Sequence, residues 1–268
     1  MCLLMLGWQA HPRYRLVVAA NRDEYHERPA AALAKWPPPA GFLAGRDLRA
    51  NGTWLGVDAA RRFGVVTNFR ELQPPRPGAP SRGELIPRFL GTAGAASPAQ
   101  FFAALAHEAR EYSGFNLLLA DRASLWYASN RAQPLARALA PGIYGLANEL
   151  LDTPWPKLER VRAGFTEWLA ARATPPAERL FALLADRTPA EPAGSTVGRG
   201  QSASGGLPRE WQRALAAPFV LNPTYGTRCS TVLLIEPGGA LYLGERRFDQ
   251  HGNASGETEF RLNADEWP

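Results

Sequence analysis

The sequence has little cysteine, little histidine and little lysine, and each shortage excludes something. Only two of its 268 residues are cysteine, Cys2 and Cys229, too few for a disulfide framework. The four histidines, His11, His26, His107 and His251, are dispersed. No His-x-x-x-His or Cys-x-x-Cys spacing exists, so no metal site is expected. There is no glycine-rich phosphate loop in a strand–helix context, and no internal repeat. No apolar run approaches the ~20 residues that cross a bilayer. The N-terminus lacks the basic region of a signal peptide. These absences lead to the expectation of a soluble, cytoplasmic protein without a transmembrane segment. Lysine is confined to Lys35 and Lys157, so nearly all of the 30 basic residues are arginine. With 24 prolines and abundant alanine, that composition matches a GC-rich bacterial coding bias. The net charge of +5 comes from scattered arginines rather than a basic tract. This argues against nucleic acid as a partner and is compatible with anionic small molecules.

What is present begins at the N-terminus. An apolar run from Cys2 to Trp8 and a second beginning at Tyr14 flank a polar turn, His11-Pro12-Arg13, which is a hairpin signal. The second run ends in four polar residues, Asn21-Arg22-Asp23-Glu24. In an antiparallel hairpin the start of one strand lies beside the end of the next, so Cys2 and this tetrad are expected to be neighbours. A cysteine near a strand start is ordinarily a small buried hydrophobe. If Met1 is removed, however, Cys2 carries a thiol and a free α-amine together. The thiolate is the nucleophile, and an α-amine of pKa about 8 is a usable base at neutral pH. Arg22 would lower the thiol pKa by its charge, and Asp23 would hold the ammonium or orient a substrate amine.

Apolar residues make up 46% of the chain, enough for the core of a single domain over residues 1–268. Residues 25–39 read as a Pro- and Ala-rich connection in which proline forbids a central strand. Strands in short-turned pairs are expected up to Asn68. Ser81 and Glu84 fit a capping box opening a helix over 81–90, and Ser97-Pro98 opens another reaching Ala109. Strands return at 116–120, 125–128 and 142–148. Helices follow at 155–172 and 176–184, then a mobile loop over 186–208 and a short helix at 209–212. Strands at 228–236 and 240–247 close the chain, with an edge strand at 259–262. This alternation indicates an α+β fold of antiparallel sheets and helices. Asn68 and Asn148 end apolar strands, where a side-chain amide can donate to an oxyanion or simply make a turn. Cys229 is interior to a strand and reads as core.

Met1-Cys2 with Asn21-Arg22-Asp23-Glu24 resembles the start of the NRDE, or transport-and-Golgi-organisation, family. Further motifs follow in that family's order: Gly45-Arg46-Asp47, Gly52-Thr53-Trp54-Leu55-Gly56, Thr67-Asn68-Phe69-Arg70, Ser81-Arg82-Gly83-Glu84, Tyr144-Gly145-Leu146-Ala147-Asn148, the run from Leu151 to Lys157, and Gly226-Thr227-Arg228-Cys229-Ser230-Thr231. The family is in turn similar to N-terminal nucleophile hydrolases of the choloylglycine hydrolase and penicillin V acylase type. That resemblance implies a four-layer α-β-β-α sandwich of two antiparallel sheets. It also implies a Cys2 nucleophile with an Arg and an Asp beside it, and strand-end Asn residues for oxyanion or substrate. The expected catalytic set is Cys2, Arg22, Asp23, Asn68 and Asn148. The expected substrate-binding set is Asn21, Glu24, Arg46, Arg70 and Arg228. Two functions compete. One is hydrolysis of a linear amide or acyl conjugate, which requires no cofactor. The other, implied by the family's link to haem movement and lipid or acyl-CoA homeostasis, is non-catalytic binding and trafficking of haem or an acyl ligand on the same scaffold.

Overall fold

The computed structural model describes residues 2–71, 76–91, 96–189 and 209–268. The hairpin at the N-terminus is its centre. Strands β1 (Cys2–Trp8) and β2 (Leu16–Tyr25) are paired so that Cys2 faces Arg22 and Trp8 faces Leu16. Both are buried on both faces, which is why they read as continuous apolar runs rather than alternating ones. Leu4, Leu6, Trp8, Leu16 and Val18 pack against the second sheet. Leu3, Met5, Val17 and Ala19 pack the other way, against helices α3 (Pro156–Ala170) and α4 (Glu178–Leu184).

The first sheet adds β10 (Gly142–Leu146) beside β1, and β11 (Tyr225–Ile235), β12 (Leu241–Phe248) and β13 (Ala254–Leu262) beyond β2, all antiparallel. The second sheet is a meander, β3 (Ala30–Lys35), β4 (Leu43–Asp47), β5 (Leu55–Val57), β6 (Phe63–Asn68), β7 (Phe115–Ala120), β8 (Leu125–Ser129) and β9 (Ala136–Leu139). Its outer face packs Phe42, Leu117 and Leu119 against α1 (Leu85–Leu90) and α2 (Pro98–Leu105). Three apolar clusters, one between the sheets and one beneath each helix pair, therefore make the four layers α-β-β-α.

Several local expectations change. Residues 30–35 form a strand. It lies at the edge of its sheet, where flanking prolines cost no ladder bonds. Its Ala-rich sequence has no polar alternation to announce it. The register of β3 against β4 shifts between Ala31 and Ala34, and the Leu33 N–H donates across to Glu245 Oε1 of β12 at 2.9 Å. The buried Glu245 thus ties the two sheets together. Ser81 does not form a capping box: its hydroxyl accepts from Gly83 N, and the Glu84 carboxylate accepts from the Tyr112 hydroxyl instead. The capping box sits at α2, between Ser97 and Gln100, and that helix stops at Leu105 rather than Ala109. Strand β9, at the other sheet edge, is also unannounced. Most of the loop expected at 186–208 falls in 190–208, outside the described residues. Helix α5 (Arg209–Leu215) follows. Among the described residues no helix is long and apolar enough to cross a membrane.

One turn residue carries unusual weight. Arg61, between β5 and β6, is only 1% exposed. Its guanidinium donates to Gly239 O at 2.6 Å, Asn263 O at 2.7 Å and Ala59 O at 3.0 Å, with further bonds to Ala264 O and Glu266 O. It also lies over the Trp267 ring. One side chain thereby holds the β11–β12 turn and the C-terminal tail onto the second sheet.

Candidate active site

The site is assembled where β1 begins and β2 ends. Because Cys2 is opposite Arg22, their side chains leave the sheet on the same face, toward the second sheet. Both line a cleft of about 610 Å³ together with Trp54, Asn68, Asp47 and Arg82. Cys2 is half-buried there.

Its main-chain nitrogen donates to Asn148 Oδ1 at 3.1 Å. Asn148 Nδ2 donates in turn to Asn68 O at 2.8 Å, and Asn148 O accepts from Arg70 N at 2.7 Å. Asn148 is 3% exposed and bridges the start of β1 to the end of β6. Its amide oxygen is thus committed to the Cys2 nitrogen, while one N–H of Nδ2 has no partner among the described residues. The Asn68 side chain is exposed on the cleft wall.

Arg22 is 6% exposed and held from three sides. Its Nη2 donates to Asp47 Oδ2 at 3.1 Å, its guanidinium lies 4.4 Å over the Trp54 ring, and Glu24 stands 3.8 Å away. Asp47 also accepts from Arg28 Nε at 2.6 Å and from the main-chain N–H groups of Arg49 and Ala50. Arg22 Nη1 is buried without a hydrogen-bond partner among the described residues. Burial pushes the Cys2 thiol above its ordinary value. The charge of Arg22 acts downward, as expected, but burial outweighs it, and Arg22 Nη2 is already paired with Asp47.

Asp23 points to the other face of β2, toward the helices. It is 4% exposed, and its Oδ1 accepts from the Thr227 hydroxyl at 2.7 Å. Burial raises its carboxyl pKa, and the Lys157 ammonium opposes that rise. Lys157, in the first turn of α3, is 1% exposed and lies within electrostatic reach of Asp23, Cys2 and Arg70.

The other expected substrate-binding residues divide. Glu24 lines the cleft. Asn21 is spent in the framework: its Nδ2 donates to Leu184 O and Pro218 O, and its Oδ1 accepts from Ser230 Oγ at 2.6 Å. Arg228 is the extra residue of a β-bulge between Thr227 and Cys229. Its Nη1 donates to the carbonyls of Tyr25, His26 and Arg28, clamping the turn after β2. Arg46 leaves β4 on the face opposite Asp47 and lies over Trp36, outside the cleft lining. Arg70 is half-buried behind Asn148, also outside that lining.

Lys157, Asp47, Trp54 and Arg82 were not in the expected sets. Lys157 had a compositional signal, being one of two lysines in an arginine-rich chain. Trp54 and Arg82 are brought together by glycines. A Cβ on Gly52 would sit 2.4 Å from the Gly83 carbonyl carbon, so only glycine allows these segments to pack backbone to backbone. Thr53 N donates to Gly83 O at 2.9 Å across that contact. Arg82 is anchored by a bond to Gly114 O and Arg76 by one to Glu111 O, so both bring charge to the cleft while bonded to carbonyls.

A second cleft, of about 790 Å³, lies on the far side of the first sheet among ion pairs such as Arg13–Glu236 and Arg246–Glu178, and contains no expected site residue. Cys229 is 4% exposed beside Glu245, and burial pushes its thiol well up. Iodoacetamide should therefore modify Cys2 at least about tenfold faster than Cys229, since access and thiolate fraction both favour it. Because both thiols titrate above their ordinary range, both rates should still be climbing past pH 9. Peptide mapping of the alkylated protein checks this; equal rates would mean that Cys2 is no more accessible than core.

The chain is 32% identical over 284 residues to the mouse Transport and Golgi organization 2 homolog, covering 98% of this chain and 100% of that protein. The human homolog is 33% identical over 280 residues, with the same coverage of both chains. Among solved structures, the Caenorhabditis elegans N-acylethanolamine-hydrolyzing acid amidase ortholog aligns over 88% of this chain and 93% of its own, at 14% identity and a TM-score of 0.35. The model of one family, Transport and Golgi organisation 2, matches residues 1–250. The chain belongs to the Transport and Golgi organisation 2 family.

Proposed function

We propose that the protein is an amidohydrolase in which Cys2, freed of Met1, attacks the carbonyl of a linear amide or acyl conjugate with its own α-amine as base. One observation carries this reading: the Cys2 main-chain nitrogen is held by Asn148 Oδ1 at 3.1 Å while its side chain opens on the cleft. In the processed chain that nitrogen is the α-amine. A bond donated to Asn148 orients it without consuming its lone pair. A thiol raised by burial would carry little thiolate at neutral pH, so a base must take its proton during attack.

The Sγ–C bond forms as the Sγ proton passes to the amine. The oxyanion accepts from the remaining Asn148 N–H and from Asn68. The ammonium then gives that proton to the departing nitrogen as the C–N bond breaks. Water then attacks the thioester carbon as the amine takes its proton, the Sγ–C bond breaks to release the carboxylic acid, and the ammonium returns the proton to Sγ. Arg22 Nη1 and Arg82 stand ready to receive polar or anionic oxygens of the substrate. A haem ligand is supported less well: among the described residues of the cleft lining Cys2 is the sole thiolate or imidazole donor, and the lining is rich in arginine and carboxylate.

Untagged protein incubated with a set of N-acyl amines and N-acyl amino acids, then quenched in acid, should show an acyl adduct by intact mass that maps to Cys2. Retention of Met1 in the isolated protein, with no adduct from any amide, would sink the proposal.

A further inference from the structure

The charged groups within electrostatic reach of Cys2 are Arg22 and Asp23 from β2, Lys157 from α3 and Arg82 from the turn before α1, and Arg70 after β6 is within reach of Lys157. Arg22 has Asp47 as its counter-ion. Asp23 is the buried carboxylate common to Lys157 and Cys2. Lys157 occupies an adverse place for a cation. It is 1% exposed, it follows Pro156 in the first turn of α3, and the positive end of the helix dipole is there. A buried ammonium is tolerated only with a counter-charge. Asp23 supplies it from a position that is itself 4% exposed, with one oxygen anchored by Thr227.

We propose that Lys157 is a positioning residue for the Cys2 amine: by taking Asp23 as its counter-charge, it keeps that amine neutral, and therefore a base, at neutral pH. The proposal rests on the amine-base reading above. If the amine were protonated as well, two ammonium groups would share one carboxylate in a desolvated site. Cys2 lines the cleft and Lys157 does not, so the amine is the group with a route by which to give up its proton. Burial acts downward on Lys157 and upward on Asp23, and each opposes the shift of the other, as a mutually dependent pair requires. The arginine-rich composition fits this assignment. Arginine would bring five donors needing partners into a site where a compact ammonium needs three.

The test uses full-length protein with Cys2 exposed as first residue by cleavage of a removable leader. Cysteine labelled with 13C and 15N gives two spin systems, because the chain has two cysteines. The Cys2 signals are followed from pH 5 to 10, and the Cys229 signals report that the fold is intact. The amine midpoint in the wild-type protein is expected at least about one pH unit below the ordinary value near 8. Lys157→Met should raise it by about one unit or more, since the amine then inherits Asp23. Lys157→Arg should leave it within about 0.3 unit if the charge is what matters. The double variant Lys157→Met/Asp23→Asn should return it toward wild type, because a neutral pair replaces a neutral pair. It also serves if the single variant does not fold. An unchanged or lowered midpoint in folded Lys157→Met, or a double variant whose midpoint stays more than about one unit above wild type, overturns the proposal. Absence of amide turnover with this midpoint pattern intact would count against the hydrolase reading alone.

Discussion

Cys2→Ala is expected to abolish the proposed amide turnover, and Cys2→Ser to lower it by about a thousandfold or more, because loss of a covalent nucleophile leaves only binding and oxyanion stabilisation. The same loss is expected when the side chain is intact but the nitrogen is blocked, as in a form that retains Met1 or carries an N-terminal tag. That second result separates this mechanism from an ordinary cysteine hydrolase, in which a histidine serves as base and the chain terminus is irrelevant. Among the described residues no histidine lines the cleft. The measurement is kcat/KM on whichever amide acylates Cys2, for wild-type, Cys2→Ala, Cys2→Ser and N-terminally extended protein. Full activity in the extended form would remove the amine from the mechanism. Full activity in Cys2→Ala would remove Cys2 as well.

Arg61→Met destabilises the protein by about 3–5 kcal/mol, as expected when one member of a buried charged network is taken away. The guanidinium binds five main-chain carbonyls. Removing it leaves several of them buried without a donor, at about 1–3 kcal/mol for each that water cannot reach. Urea unfolding should show the transition midpoint falling by about 1–2 M at an ordinary slope. Arg61 also has a φ of 60°, which an asparagine tolerates better than methionine. Arg61→Asn therefore separates backbone from side chain. Equal losses in the two variants assign the effect to the lost hydrogen bonds, whereas near wild-type stability in Arg61→Asn would assign it to the turn.

The comparison of sequence with structure is most instructive residue by residue. The placement of Cys2 beside the Asn21-Arg22-Asp23-Glu24 tetrad was legible because it depends on a hairpin, and a hairpin is local: two apolar runs, a short polar turn and strand antiparallelism suffice for it, while the register that sets Cys2 against Arg22 came with the structure. The four layers were legible only through resemblance. A strand buried on both faces looks the same whether a sheet, a helix or both cover it. The strands at 30–35 and 136–139 escaped notice because edge strands need little hydrophobic contrast. Among the expected site residues, Asn21, Arg46 and Arg228 stand away from the cleft for reasons that are not local. Asn21 is one position out of phase with Cys2, Arg46 is one out of phase with Asp47, and Arg228 is turned out by a bulge that exists only because β11 pairs with β2.

By itself the sequence determined the family, the N-terminal hairpin, the position of the candidate nucleophile beside Arg22 and Asp23, and the scarcity of the cysteine and histidine from which metal and disulfide centres are built. These follow from residue identity and from contacts between near neighbours in the chain. The tertiary structure decided which charges meet. Asn148 reaches the Cys2 nitrogen across 146 positions of chain. Asp47 neutralises Arg22 from another sheet, Gly52 and Gly83 bring Trp54 to Arg82, and Lys157 is buried near Asp23 by the docking of α3. Such encounters depend on strand register, glycine contacts and helix placement together. Desolvation, which pushes the Cys2 thiol and the Asp23 carboxyl up and the Lys157 ammonium down, comes into being only when those elements close over them.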